Sequence, residues 1–286
     1  MIGFVGLGRM GLPIARNIAA GGHDIRCVDV VGSAVERALA SGLDATTDLG
    51  ALEGADVVLT SLPDTPEVAG VFLEPGNLLE AMADGGVAVD LSTISIDGSR
   101  AIAEEAAARR RSFLDAPLSG SVLHAESKTL AVMVGGEAGA LATVMPVLAS
   151  MSSSVHHMGG NGAGLVMKLI TNRLLAASVA ALAEAVVQME ANDIDVDAGL
   201  GLLAAGAVPK LIEYKGPALR DREYRAAFTI DLMRKDMGHA SGLAGGDRLA
   251  SVVEQVFDEA SRLGHGDGDI AAIIETWLVK EGPWRT

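Results

Sequence analysis

The first 160 residues alternate short unbroken apolar runs with segments whose apolar positions recur every three or four residues. IGFV (from Ile2), IRCVDV, ADVVLTSLP, GVAVDLST and SFLDAPLSG read as strands, and TLAVMVGG and SSVHHMG as two more. Between them GLPIARNIAAGG, SAVERALASG, PEVAGVFL, GNLLEAMA and DGSRAIAEEAAARRR carry helical spacing. In the second of these, Ser33 is the expected cap and Gly42 the expected stop. Strands that are apolar throughout, alternating with helices, predict a parallel sheet covered on both faces.

Near Gly159 the pattern changes. From Gly164 to Asn192 the chain has neither Pro nor internal Gly and reads as one long helix. VDAGLGLLAAG, FTIDLMRKDMGHASGLAG, RLASVVEQVFDEASRLG and DIAAIIETWLVKEG continue the helical spacing, with no clear strand. The expected fold is α/β: a doubly wound Rossmann-type domain over residues 1–160, joined by a long helix to an all-α domain over residues 161–286. No low-complexity linker, charge block or short-period repeat interrupts it.

Composition narrows the class. Hydrophobic residues are 49% of the chain and aromatics only 3%, so the core rests on Ala, Val, Leu, Ile and Met. The formal net charge of −15 argues against nucleic acid and anionic membranes as partners, since both need a basic surface. Cys27 is the single cysteine. That excludes an intrachain disulfide and a cysteine-based metal site, and it fits a reducing cytoplasm. The chain opens on a strand-like run with no signal-peptide pattern. The apolar run LLAASVAALA is too short to span a bilayer.

At the start, GFVGLGRMG places Gly6, Gly8 and Gly11 at G-x-G-x-x-G spacing between a strand and a helix. Glycines are common in this chain, so the spacing alone says little; the context gives it weight. Gly6 permits the tight turn, Gly8 lets the backbone approach a pyrophosphate, and Gly11 lets helix and strand pack closely. The cradle is then Gly6, Leu7, Gly8, Arg9, Met10 and Gly11, with the helix N-terminus facing the phosphates. Asp29 closes the second strand about twenty residues on, where an acid holds the ribose hydroxyls. A 2′-phosphate would meet that carboxylate, and VVGS beyond it offers no arginine, so NAD is expected rather than NADP. The bland account is a glycine turn that binds nothing.

Three later stretches carry candidate chemistry. In DAPLSGS, from Asp115 to Ser121, a Ser-Gly-Ser turn follows a strand, where α/β sheets place their ligands. Its N–H groups and hydroxyls suit a carboxylate, although the same turn alone is an ordinary polar connection. GNGAGLVMKLITN puts Lys168 and Asn172 four apart on one helical face. A lysine near a cofactor can act as acid or base, whereas a lone lysine more commonly snorkels at a helix edge. LMRKDMGHA carries Arg234, Lys235 and Asp236, either a solvated charged face or a lysine reaching the cofactor.

Together these segments resemble the β-hydroxyacid dehydrogenase family, which includes 3-hydroxyisobutyrate dehydrogenase and tartronate semialdehyde reductase. GFVGLGRMG, DAPLSGS, GNGAGLVMK with Asn172, and LMRKDMGHA match in order, as do the turns at Ser61–Pro63 and Asp90–Ser95. The resemblance covers nearly the whole chain. It implies that Lys168 is the catalytic lysine, assisted by Asn172. It implies that Ser119 and Gly120 hold a substrate carboxylate, that Leu62, Pro63 and Thr93 line the cofactor, and that Lys235 closes over it. It also implies an oligomer built by the helical domain, a homodimer or homotetramer. The chain departs from the family where Ser121, His124 and Lys128 replace glycines, where Thr171 replaces the first of two asparagines, and where Ile96 replaces a proline. Ser121 and His124 join the candidate substrate contacts, since they could recognise an extra polar group or narrow the pocket.

No metal is expected. His156 and His157 are neighbours on a strand and point to opposite faces, and His239 has no partner at metal spacing. Trp277 and Trp284 are assigned to packing near the C-terminus or at a subunit interface. The expected activity is hydride transfer between NAD and a small 3-hydroxy acid resembling 3-hydroxyisobutyrate. Tartronate or succinic semialdehyde reduction, serine or threonate oxidation, and a decarboxylating sugar-acid dehydrogenase are the rivals within the class. Lys168 argues against an imine-reducing relative. A non-catalytic dinucleotide-binding oligomerisation module is the alternative of a different class.

Overall fold

The computed structural model describes residues 1–206 and 208–278. The chain forms two compact units, Met1–Lys168 and the residues from Leu169 onward. The first unit runs β1 (Ile2–Val5), α1 (Gly11–Ala20), β2 (Ile25–Val28), α2 (Gly32–Ala40), β3 (Asp44–Thr46), β4 (Val57–Thr60), α3 (Thr65–Leu73), α4 (Leu78–Ala81) and β5 (Val87–Asp90). It continues through α5 (Ile96–Ala108), β6 (Ser112–Asp115), β7 (Leu118–Ser119), α6 (Val122–Glu126), β8 (Leu130–Gly135), α7 (Ala138–Met151) and β9 (Ser152–Gly159).

The strands join in the order β3-β2-β1-β4-β5-β6-β8-β7, with β9 beside β8. The first six, in order 3-2-1-4-5-6, are parallel, which is the doubly wound dinucleotide-binding arrangement. Successive residues on a strand face opposite sides, and two cores follow from that. Phe4, Cys27, Leu59, Val89 and Leu114 pack with α1, α2 and α7 on one face. Val5, Val58, Ala88 and Phe113 pack with α3, α4 and α5 on the other. Cys27 is fully buried, and burial pushes its thiol up to about 12, so it has no reactive thiolate.

Several sequence expectations need correcting here. The sheet is not parallel throughout: β8 is antiparallel to both β6 and β7. The connection from β7 to β8 contains only the five-residue α6, too short for a parallel crossover. β3, α6 and α7 carry no expectation from the sequence; α7 holds Pro146 inside a helix, which breaks the usual pattern. Ser33 does not cap α2. The cap position is Val31, whose N–H donates to Asp29 Oδ1 at 2.8 Å.

The long helix α8 (Ala163–Ala191) is followed by α9 (Val196–Ala204), α10 (Pro209–Asp221), α11 (Ile230–Ala240), α12 (Ala250–Ala260) and a 3-10 helix, Ile270–Trp277. The predicted continuation of the last helix into VKEG, and Trp284, lie outside the described residues. α10 was not expected, because Gly216 and Pro217 interrupt its pattern. By length and composition α8 could cross a membrane, a length that Leu174–Ala183 alone does not reach. Part of its apolar surface, however, fills protein: Ala176, Val179, Leu182, Ala183 and Val186 belong to the helical core, while Ile170 and Leu174 are exposed. A core helix acquires the same composition.

One buried ion pair staples the helical unit. Lys215 Nζ on α10 meets Asp269 Oδ1 at 2.6 Å, and both side chains are 3% exposed. Asp269 also accepts the N–H groups of Ala271 and Ala227 at 3.1 Å each, joining α10, the 227 loop and the last helix. Removing one partner leaves a buried charge alone. Asp269→Ala is expected to lower unfolding free energy by about 3–5 kcal/mol. Urea titration checks this; a loss below about 1 kcal/mol, the value of an exposed pair, would refute it.

Candidate active site

The glycine turn sits where β1 delivers the chain to α1. Gly6 has φ +98°, and a Cβ there would run into the carbonyl oxygen of Ser61. A Cβ on Gly11 would strike the Gly6 carbonyl. Both positions need glycine for the turn itself. Gly8 differs: it is exposed, and an added Cβ meets nothing within 4 Å. The first turn of α1 holds no acidic residue, so its N-terminal positive end is uncompensated from within. Leu7, Arg9 and Met10 complete the same turn. Asp29 reaches back to it, accepting the Leu7 N–H on Oδ2 at 2.6 Å and the Val31 N–H on Oδ1. The first of these bonds ties the end of β2 to the cradle, and the second holds the entry to α2. The turn fits a pyrophosphate: it offers open backbone at Gly8, a helix N-terminus and an acid at the ribose position.

The loops after β4 and β5 carry Leu62, Pro63 and Thr93. Leu62 N–H donates to Ser92 Oγ at 2.9 Å, and Ser95 N–H to Thr65 Oγ1 at 3.0 Å, so the two loops are laced together. Beneath them Asp90, 1% exposed, accepts Thr60 Oγ1–H at 2.7 Å and Ser92 N–H at 3.1 Å. Burial raises its carboxyl above the usual range, against the pull of Ser92 and Thr60.

The Ser119 turn closes β7. Gly120 has φ +135°, and a Cβ there would fall 2.8 Å from Leu130 Cδ2 and 2.9 Å from His124 Cβ. Ser121 N–H donates to His124 Nδ1 at 3.1 Å, and Ser121 Oγ lies 2.9 Å from the same nitrogen. The two departures from the family glycines thus cap α6 jointly, with Nδ1 as acceptor and the ring proton on Nε2. Lys128 keeps the glycine-like backbone of its position, at φ 58°.

Lys168 is half-buried, one turn into α8 from the glycine-rich segment Gly160–Gly164. That segment is pinned to β6. Asn161 Nδ2 donates to the Phe113 carbonyl at 2.7 Å, and Asp115 accepts the N–H groups of Gly162 and Leu165 at 2.6 and 2.9 Å. In the helical unit, Asn172 Nδ2 donates to Asp236 Oδ2 at 2.6 Å, and Lys235 Nζ lies 3.3 Å from Asp236 Oδ1. Asp236 is 3% exposed, so it is no part of a solvated face. His157 Nε2 is engaged at 2.8 Å with the Gly136 carbonyl. Among the described residues no group of three or more His, Cys, Asp or Glu side chains is placed to hold a metal ion.

Sequence reasoning assigned no role to Asp90, Asp115 or Asp236. The available signal was an acid ending an apolar strand, in VAVD and SFLD, where a charge must be buried.

Two family models divide the chain. Residues 1–160 match the NAD binding domain of 6-phosphogluconate dehydrogenase, and residues 162–277 match the NAD-binding model of NADP-dependent 3-hydroxyisobutyrate dehydrogenase. An NAD-dependent L-serine dehydrogenase of Pseudomonas aeruginosa is 33% identical, over 98% of this chain and 99% of that protein. A 3-hydroxyisobutyrate dehydrogenase of the same organism is 36% identical over 84% of this chain and 83% of its own. The structure of a Mycobacterium tuberculosis 3-hydroxyisobutyrate dehydrogenase with L-serine superposes with a TM-score of 0.89 at 30% identity, covering 97% of this chain and 99% of that one. The chain belongs to the β-hydroxyacid dehydrogenase family. It is an NAD-dependent oxidoreductase of that class.

The raised Asp90 carboxyl has a consequence for stability. A group whose folded-state pKa is raised contributes stability below its ordinary value and loses it as pH rises through the folded value. Asn at this position keeps an oxygen for Thr60 and Ser92 and has no proton to lose. The melting temperature of Asp90→Asn, relative to the parent, should therefore rise as the pH is raised above the ordinary carboxylate range of about 4. A difference that is flat or falls as the pH is raised overturns the assignment.

Proposed function

We propose that the chain oxidises a small 3-hydroxy acid resembling 3-hydroxyisobutyrate to its semialdehyde, with Lys168 as general base, and catalyses the reverse reduction with Lys168 as general acid. One observation carries this reading. The glycine cradle, the Ser119 turn and the lysine-bearing start of α8 belong to one compact unit, and α8 is fastened to β6 at Asp115, four residues before Ser119. Ligands of doubly wound sheets sit at these carboxyl ends of strands. Both L-serine and 3-hydroxyisobutyrate, named for the relatives, carry a carboxylate and a hydroxyl on the third carbon.

NAD would be held by Gly6 to Gly11 and Asp29, with Leu62, Pro63 and Thr93 along it and Lys235 over it; when bound it supplies the hydride acceptor. Ser119 and Gly120 hold the substrate carboxylate, with Ser121 and His124 beside them. The hydroxyl faces Lys168, whose neutral Nζ takes its proton as hydride leaves the same carbon. In reduction the Lys168 ammonium returns the proton to the carbonyl oxygen and stabilises the forming alkoxide. Asn172 assists. The Asp29 carboxylate favours NAD over NADP. The helical unit would build a homodimer or homotetramer, and the enzyme would be cytoplasmic.

Initial rates with 3-hydroxyisobutyrate, L-serine, glycerate, threonate and 3-hydroxypropionate, each with NAD and NADP, test the reading. Turnover with NAD is expected for at least one acid, and Lys168→Ala should cut it by about a hundredfold to ten-thousandfold with cofactor binding intact. Residual turnover within a few fold of the parent would sink the role of Lys168. Preference for NADP would sink that of Asp29.

Gly8 gives a separate check. Its Cβ direction is open, so Gly8→Ala should fold and melt like the parent. A pyrophosphate approaching that backbone would meet the methyl group. NADH titration should therefore show weakened binding at unchanged melting temperature. Unchanged affinity would remove Gly8 from the cradle.

A further inference from the structure

The start of α8 carries an unusual load. The first N–H groups of a helix have no partner within the helix, and a nearby Ser, Thr, Asp or Asn normally supplies one. Here the cap comes from far along the chain. Asp115, at the end of β6, accepts the Gly162 N–H on Oδ1 at 2.6 Å and the Leu165 N–H on Oδ2 at 2.9 Å, across 47 and 50 residues.

The carboxylate is 1% exposed and closely walled. A Cβ on Gly135 would lie 2.5 Å from Oδ1, and one on Gly164 would lie 2.9 Å from Oδ2. Gly162 itself holds φ +90°, so its N–H can turn toward the sheet while its carbonyl accepts the Val166 N–H at 2.9 Å. Both oxygens accept N–H groups, which is the bonding of the anion, placed at the positive end of the helix. Lys168 follows Leu165 by three residues, on the adjoining turn of the same face.

We infer that Asp115 is a positioning residue for Lys168: by gripping the Gly162 and Leu165 amides it fixes the first turn of α8 against β6, and with it the height and direction of the lysine. The inference rests on Lys168 as the acid/base group. Asp115 touches neither substrate nor cofactor in this account; it acts through the helix. The device is rigid because both ends are backbone or buried side chain, and because no residue larger than glycine fits at 135 or 164.

The test compares Asp115→Asn, Gly135→Ala and Lys168→Ala as full-length enzymes. Asn keeps the volume but turns an amide group toward an N–H donor. Gly135→Ala pushes on the carboxylate and leaves it chemically intact. For each variant kcat is measured per NADH-binding site, alongside the NADH dissociation constant and the melting temperature. Misplacement by about 1 Å costs on the order of a hundredfold. Asp115→Asn and Gly135→Ala are therefore expected to lose about tenfold to about a hundredfold in kcat, with NADH affinity within about twofold of the parent. A merely structural role would lower melting temperature or NADH affinity and leave kcat per site unchanged, and that result overturns the inference. If Asp115→Asn does not fold, Gly135→Ala decides; insolubility of both makes Asp115 a folding residue and overturns it too. If Lys168→Ala retains turnover within a few fold, the acid/base reading falls first. If Lys168→Ala is inactive while Asp115→Asn and Gly135→Ala have the parent kcat, only the positioning role falls.

Discussion

Buried backbone N–H groups must find partners, and at the carboxyl edge of this sheet they find carboxylates. Asp90 and Asp115 stand at the ends of β5 and β6, paired in register. Each is 1% exposed, and burial raises both carboxyls above their usual range. Such groups are costly to bury and are tolerated where hydrogen bonds compensate. Asp90 accepts the Thr60 hydroxyl and the Ser92 amide, next to the loops that carry Leu62 and Thr93. Asp115 accepts the amides ahead of Lys168. Asp29, at the end of β2, does the same for Leu7 in the glycine turn. The loops that bear candidate chemistry are thus fastened to strand ends by acids, and a rigid sheet becomes a rigid site.

This explains which parts were legible in the sequence. Strand runs such as IGFV and VAVD, the glycine spacing from Gly6 to Gly11 and the long helix from Gly164 follow from local pattern, and the structure places α8 at Ala163–Ala191. Features set by distant partners were not legible. α10 forms despite Gly216 and Pro217, where Lys215 is locked to Asp269 across 54 residues. β8 runs antiparallel because the stretch before it is short, which no residue within β8 records. The acid in RKDMGHA looks solvated until Asn172, from 64 residues earlier, is seen to donate to it. Acids were visible at the ends of strands, but their amide partners lay on the far side of the fold.

Of the three departures from the family glycines, only Lys128 keeps a positive φ. Lys128 adopts φ 58°, a conformation that costs an L-residue roughly 1–2 kcal/mol and that glycine takes freely. Ser121 and His124 cap each other at the start of α6, and Asn17 on α1 donates to the Ala125 carbonyl at 2.6 Å, holding that short helix against the dinucleotide helix. The Ser121 and His124 side chains are therefore anchored locally. An anchored His124, with Nδ1 committed as acceptor, can offer outward only an Nε2–H donor, so any contact it makes with a ligand must be to an acceptor oxygen.

The same logic orients Asn172. An amide side chain presents a donor on one side and an acceptor on the other, and its sense is set by its partners. The Asn172 Nδ2 group is committed to Asp236, a carboxylate that can only accept when ionised. What remains is Oδ1, an acceptor, together with the second Nδ2–H. An acceptor at this position takes hydrogen bonds from N–H or hydroxyl donors. Asp236 thereby orients the Asn172 amide, as Asp115 holds the first amides of α8. Each is a buried acid whose oxygens fix a hydrogen-bonding group carried by another element.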